Sequence, residues 1–377
     1  MNTLLFFYPV IILLGLFFLT KRDSEKNRNI YIYIVLTLLT AESCLRGVSV
    51  GNDTEAYYSM WVNAKSTPWS YVLTDFQSRY MQNAGTEDIG FNIYIKILQL
   101  LSENFQYYLM VSALCFFIPF GMLLKKYIHS IRQLIFVFIF YVSLFNMIAM
   151  SGVRKEIALG LAMLAFLYYT DKKYVKMIIT VAIGATIHMS TLLFLIVPLL
   201  GAIRPNMLRE IHIGTFFLIP VVIASSSAII ILMGETVGNE KYVEYGLEGS
   251  KGGAFTFTLL IELLSFFCYW AFRKVDLNKD VVLSKLYIML PCFTFFAPLI
   301  TNNGSMIRVS QYFHVYVLIL LPYAIEYLTR NKNNSLWYMG MSVALMFLAL
   351  YGNDSQYCFF WQDQYRNLFI SDYSFIK

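Results

Sequence analysis

Apolar residues run through this chain in long blocks separated by short basic clusters, the pattern of a bundle of membrane-spanning helices. The blocks cover residues 4–19, 30–45, 105–124, 134–150 and 156–169, then 213–233, 255–272, 281–300, 306–328 and 336–351. A spanning helix needs about 20 mainly apolar residues, so the pattern predicts an all-α integral membrane protein with about 10–12 transmembrane helices. The whole of residues 1–377 reads as one polytopic membrane domain. The first block has no small-residue cleavage site and no basic region before it, and is expected to be a span rather than a removed signal.

The basic clusters orient the spans. Lys21, Arg22, Lys26 and Arg28 follow the first block, which places the N-terminus outside. Lys125, Lys126 and Arg132, then Lys172, Lys173 and Lys176, then Arg273, Lys274 and Lys279 mark further inner ends. The segment 177–201 breaks this parity, because basic residues flank it on both sides. It is expected to fold back as a broken or re-entrant helical hairpin near His188, which needs a protein-lined or wet surrounding. One straight span, with the later topology inverted, is the alternative. Residues 46–104 read as an outer-face loop rich in Trp and Tyr. Within it, 91–101 is too short to span and is expected to form an amphipathic surface helix. The acidic, glycine-rich stretch 234–253 reads as a second outer loop.

Composition narrows the class. With 58% hydrophobic and 14% charged residues, the 377-residue chain cannot cover itself as a soluble globule. Its net charge of +6 is divided by topology and gives no reason to expect nucleic acid. The five cysteines lack metal-ligand spacing and read as small core residues. No Walker loop or acidic metal cage is present, so no cofactor, no metal and no direct use of ATP are expected.

Candidate chemistry gathers at the predicted outer ends. Arg46, Arg79, Arg154 and Arg308 lie there against the usual inward bias of positive charge. Guanidinium forks suit a planar oxyanion, and pyrophosphate fits best. Arg46 opens an R-G-x-x-x-G-x-D-T motif ending at Asp53 and Thr54, with Tyr57 one turn on. Asp53 either pairs and accepts a hydroxyl proton, or caps a turn. In Glu87-Asp88-Ile89-Gly90-Phe91 the acids either favour a helix start electrostatically or contact substrate, with Glu87 the candidate base. The hairpin Ser151-Gly152-Val153-Arg154-Lys155-Glu156 resembles the floor of an anion site, snorkelling being the other reading. His188, between Thr186 and Ser190, is either a hydrogen-bonded packing residue or a base in a wet cavity. Arg308, Gln311 and Tyr312 share a helix face, with His314 deeper on the same helix.

Taken together, these motifs resemble the Wzy/EpsG-type polysaccharide polymerases, a family of many-span bacterial membrane proteins. Lys155 departs from the pattern, standing where a glutamine is expected. The resemblance implies a glycosyltransferase of the bacterial plasma (inner) membrane whose active site faces the periplasm or outside. Such an enzyme joins O-antigen or exopolysaccharide repeat units carried on undecaprenyl pyrophosphate. On that reading Arg46, Arg154 and Arg308 bind pyrophosphate, while His188, Asp53 and Glu87 are candidates for the base. Tyr57, Tyr312 and His314 are candidate sugar contacts. The expected partners are the lipid-linked oligosaccharide, the bilayer and a polysaccharide chain-length regulator. A lipid-linked-oligosaccharide flippase or transporter, a membrane O-acyltransferase and an O-antigen ligase are the rival readings.

Overall fold

The computed structural model describes residues 3–82, 88–237, 240–248, 255–330, 332–352 and 357–362. Among these the regular structure is helical apart from one antiparallel bridge, between Arg46 and Phe359, and the chain is an all-α membrane protein. Among the described residues five helices are long and apolar enough to cross a membrane, or six if one bent pair counts as a single span. The expected spans 4–19 and 134–150 fall on shorter apolar helices, and several predicted runs are interrupted. The run 134–150 breaks at Phe145, 213–233 breaks at Ser225, and 306–328 bends by 56°.

The helices pack as two compact units. In the first, α1 (Leu4–Thr20) lies on α7 (Ile131–Leu144), and α2 (Glu25–Leu45) lies on α6 (Phe105–Tyr127). Polar residues start these helices where the sequence leaves each apolar block. The Ser24 hydroxyl accepts from the Asn27 N–H, and Ser130 with Gln133 forms a capping box at the head of α7. Tyr31 is fully buried, and its hydroxyl donates to the Ile11 carbonyl at 2.9 Å, which removes its desolvation cost.

Between α2 and α6 the expected loop is mostly helical. It holds α3 (Thr54–Ser66), α4 (Trp69–Gln82) and α5 (Ile89–Leu101). Helix α5 buries Phe91, Ile95 and Leu98 at helical spacing and exposes Leu100 and Leu101. Its buried face joins Tyr57, Trp61, Phe105 and Tyr108 in one aromatic cluster. The unit also contains α8 (Asn146–Ser151), the start of α9 (Val153–Thr170), and α20 (Asn334–Gly352).

Arg46 follows α2 and has no exposed surface. Its Nη1 donates to the Ser43 carbonyl at 2.6 Å and the Ser43 hydroxyl at 2.7 Å. Its Nη2 donates to the Met150 carbonyl at 3.0 Å. Two buried carboxylates, Glu156 and Glu42, attract it electrostatically, and Glu42 also accepts from Asn146 Nδ2 at 2.8 Å. A strap of residues 357–362 crosses the same place. The Gly47 N–H donates to the Cys358 carbonyl, the Phe360 N–H to the Leu45 carbonyl, and the Tyr357 hydroxyl to the Glu42 carbonyl. Its place beside an outer-face motif led us to expect Arg46 on a pyrophosphate. The structure instead aims both its Nη atoms at protein oxygens, because three segments converge on it and no surface remains.

The second unit begins within α9 and takes in most of α10 (Tyr174–Ile187). After a 3-10 turn, Met189–Leu195, come α11 (Ile196–Gly201), α12 (Met207–Ala224) and α13 (Ser226–Val237). The expected loop 234–253 contains a further helix, α14 (Glu240–Glu248), packed on α13. Then follow α15 (Phe255–Phe272), α16 (Val281–Tyr287), α17 (Met289–Phe296), α18 (Ile307–His314) and α19 (Val317–Thr329). His212 links four of these helices. One ring nitrogen lies 3.0 Å from the Tyr287 hydroxyl, and the other lies 2.9 Å from Ser265 Oγ and 3.2 Å from Thr294 Oγ1.

Removing the Arg46 cation should destabilise the first unit, since Glu42 and Glu156 would stay buried without it. Arg46→Met is expected to cost about 3–5 kcal/mol. The readout is the fraction of full-length protein that survives a heat step in mild detergent. Adding Glu156→Gln should recover part of the loss, and heat resistance equal to wild type in the single variant would contradict this account.

Candidate functional site

Asp88, Arg154 and His188 meet in the first unit. Asp88 precedes α5 with a left-handed backbone (φ 56°), a conformation that aspartate tolerates better than most residues. Its side chain makes no capping bond to α5. Oδ2 instead accepts from Arg154 Nη1 at 3.1 Å and lies 3.4 Å from His188 Nδ1. The carboxylate is only 4% exposed, so its two basic partners stand in for water. Of the acidic pair, the sequence analysis favoured Glu87, which lies outside the described residues. Asp88 is the acid that reaches the other motifs.

Arg154 is the second residue of α9, and its side chain is 25% exposed. Its guanidinium lies 5.6 Å from the Phe91 ring centroid and 5.9 Å from that of Tyr57, and it hydrogen-bonds the Tyr57 hydroxyl. Two aromatic faces and a carboxylate therefore hold the cation while part of it faces outward. Tyr57, expected as a sugar contact, is buried in the aromatic cluster and packs edge-on against Phe91. Its observed contacts support Arg154.

His188 sits in the break after α10, where the sequence led us to expect an interruption. Gly90 allows α5 to approach this break. A Cβ on Gly90 would lie 2.7 Å from the Thr186 carbonyl oxygen, so a side chain there would push the start of α5 away. The first motif folds onto the charged hairpin in a related way. Gly51 has φ +89°, and a Cβ there would come within 3.1 Å of the Met150 carbonyl oxygen. Asp53 precedes α3 without a side-chain capping bond. Lys155 and Glu156, the residues after Arg154, are both buried.

The second unit holds the remaining candidates. Arg308 is half-buried on α18. Tyr312, one turn on, is fully buried, and its hydroxyl accepts from Ser190 Oγ at 3.3 Å and lies 3.1 Å from Thr191 Oγ1. The serine of the H-x-S motif is thus tied to the helix of Arg308. His314 has no exposed surface. Its ring meets Phe293 edge-on at 4.4 Å and Phe257 at 6.2 Å. His314, expected as a sugar contact, is enclosed by these aromatic rings. The side chain of Arg79 lies outside the described residues. Among the described residues no group of three or more His, Cys, Asp or Glu is placed to hold a metal ion.

Glu42 lies outside every sequence motif, and Asp88 and Glu156 are named within theirs without a role of their own. Asp88 was hidden by its acidic neighbour. Glu42 stands one helical turn before Arg46, a spacing that brings side chains together. Glu156 is a carboxylate at the head of an apolar run, where a charge calls for a partner.

Because Gly90 sets the distance between α5 and the His188 break, Gly90→Val should misplace Asp88 without emptying the site. Displacements of this order cost about a hundredfold in rate. Activity in cells should fall on that scale while immunoblotted membrane protein stays within about twofold of wild type. Unchanged output would show that the close approach is immaterial to activity.

No curated protein and no solved structure matches this chain. The EpsG family profile matches residues 29–362, most of the chain. The protein is therefore a member of the EpsG family, a Wzy-type polymerase-like family.

Proposed function

We propose that this protein is a bacterial polysaccharide polymerase joining undecaprenyl-pyrophosphate-linked repeat units at the outer face of the plasma membrane. Family membership supports a polysaccharide polymerase-type role in general. The observation that carries the finer reading is the buried Asp88 carboxylate shared by Arg154 and His188. The basic clusters, which favour the cytoplasm at the opposite helix ends, support the outward orientation. A chain-length regulator is the partner such an enzyme works with.

In the proposed step a hydroxyl of the incoming lipid-linked unit attacks the anomeric carbon of the donor sugar. The new carbon–oxygen bond forms as the bond from that carbon to the pyrophosphate oxygen breaks. Asp88 holds the imidazole with its Nδ1–H toward the carboxylate, so Nε2 is the atom that takes the hydroxyl proton. Pyrophosphate leaves with the bonding electrons, and Arg154 stabilises the charge it gains. The donor is already activated, so no nucleotide is consumed. Arg46 acts as a positioning residue that holds the hairpin bearing Arg154. Asp53 remains a second candidate for orienting the acceptor. Arg308 is proposed as a further anion contact, to be tested separately.

Deleting the gene should collapse the surface-polysaccharide ladder to single repeat units, and wild type should restore it. Arg154→Ala and His188→Ala should each restore less than about one hundredth of the polymer at equal protein level. A normal ladder in the deletion strain would exclude a polymerase. Loss of all surface glycan would point to a flippase or ligase, and loss of acetyl groups at normal chain length to an acyltransferase.

Stereochemistry gives an independent check. Direct displacement inverts the anomeric centre, so purified enzyme should yield the linkage opposite in configuration to the donor. Retention would rule out the single-step mechanism.

A further inference from the structure

Along the first unit, α2 and α6 leave an apolar trough of about 450 Å³ between them. Tyr33, Ala41 and Cys44 of α2 face Leu114, Ile118 and Lys125 of α6, and Tyr33 and Ile118 are exposed. From Tyr33 to Cys44 the helix rises about 16 Å, so the trough is long and narrow.

We propose that this trough binds the isoprenoid tail of the lipid-linked donor, an inference that rests on the polymerase reading. Continuity with the site argues for that occupant. Cys44 lines one end of the trough and also packs against the aromatic cluster of Tyr57 and Phe91. Those two rings carry the guanidinium of Arg154. The trough thus begins at a residue that packs on the cluster carrying Arg154. At the far end Lys125 Nζ sits 3.9 Å from the centroid of the Tyr33 ring and closes the trough with a polar boundary. A single branched hydrocarbon chain suits a slot of this shape, and burying it there supplies binding energy away from the reacting atoms.

The test compares two synthetic donors carrying the same glycan and pyrophosphate, one on undecaprenyl and one on geranyl. Purified full-length protein in phospholipid vesicles is assayed as wild type and with the trough filled by Ala41→Trp or, separately, Ile118→Trp. Wild type should prefer the undecaprenyl donor, measured as kcat/KM, by at least about tenfold. Each tryptophan variant should lose most of that preference while retaining its rate on the geranyl donor, which also shows that it is folded. Preference unchanged in both variants, or an equal fall on both donors in both variants, would overturn the proposal. Absence of any preference in an active wild type would assign the trough to bilayer phospholipid. Wild type inactive on both donors, with the deletion ladder normal, would defeat the polymerase reading itself.

Discussion

A guanidinium without exposed surface cannot rely on water, and in a chain so poor in polar groups it must gather its own oxygens. Arg46 does this by drawing on Ser43 beside it and on Met150 far along the chain, with Glu42 and Glu156 as countercharge. The Met150 carbonyl that receives Arg46 is also the atom against which Gly51 packs. One buried cation therefore fixes the end of α2, the turn after it and the hairpin that leads into α9. Arg154 stands four residues beyond Met150, so the position of the partly open arginine is inherited from the closed one. Chemistry does not separate these two arginines. Burial does.

Asp88 answers a similar demand at smaller scale. A carboxylate ahead of a helix would ordinarily satisfy backbone N–H groups. Here the left-handed backbone turns it toward Arg154 and His188 instead. Helix α5 gives up a cap, and the site gains a group that orients an imidazole and a cation together. The cost is tolerable because α5 is held by other means: Phe91, Ile95 and Leu98 are buried in the aromatic cluster.

The helical membrane character was plain in the sequence because long apolar blocks have few other uses. The break at His188 was legible from charge parity, and the short helix after Phe91 from its length. Interruptions at Phe145 and Ser225 were not, since hydropathy does not register a change of helix axis inside an apolar run. The roles of the site residues were harder to read for a related reason. Sequence marks Arg46 and Arg154 alike as charges out of place, and only packing shows which one is enclosed. His314 read as a deeper residue of the Arg308 helix, yet Phe257 and Phe293 close over it, and neither lies near it in sequence. Asp88 and Glu87 could not be ranked without the backbone turn that aims one of them.

The shared carboxylate also bears on how the proposed reaction handles charge. Before transfer, Asp88 and Arg154 together are close to neutral, so the pair attracts the donor modestly. The planar guanidinium has several N–H donors, and Asp88 engages it through Nη1, so binding a phosphate does not require breaking that ion pair. When the acceptor hydroxyl gives its proton to His188, the cluster gains one positive charge. In the same step negative charge collects on the departing pyrophosphate. Attraction between site and leaving group thus grows as transfer proceeds and is stronger in the transition state than with bound substrate, which is the differential binding that accelerates a reaction. A site with a permanent excess of positive charge would hold substrate and product more tightly without that gain.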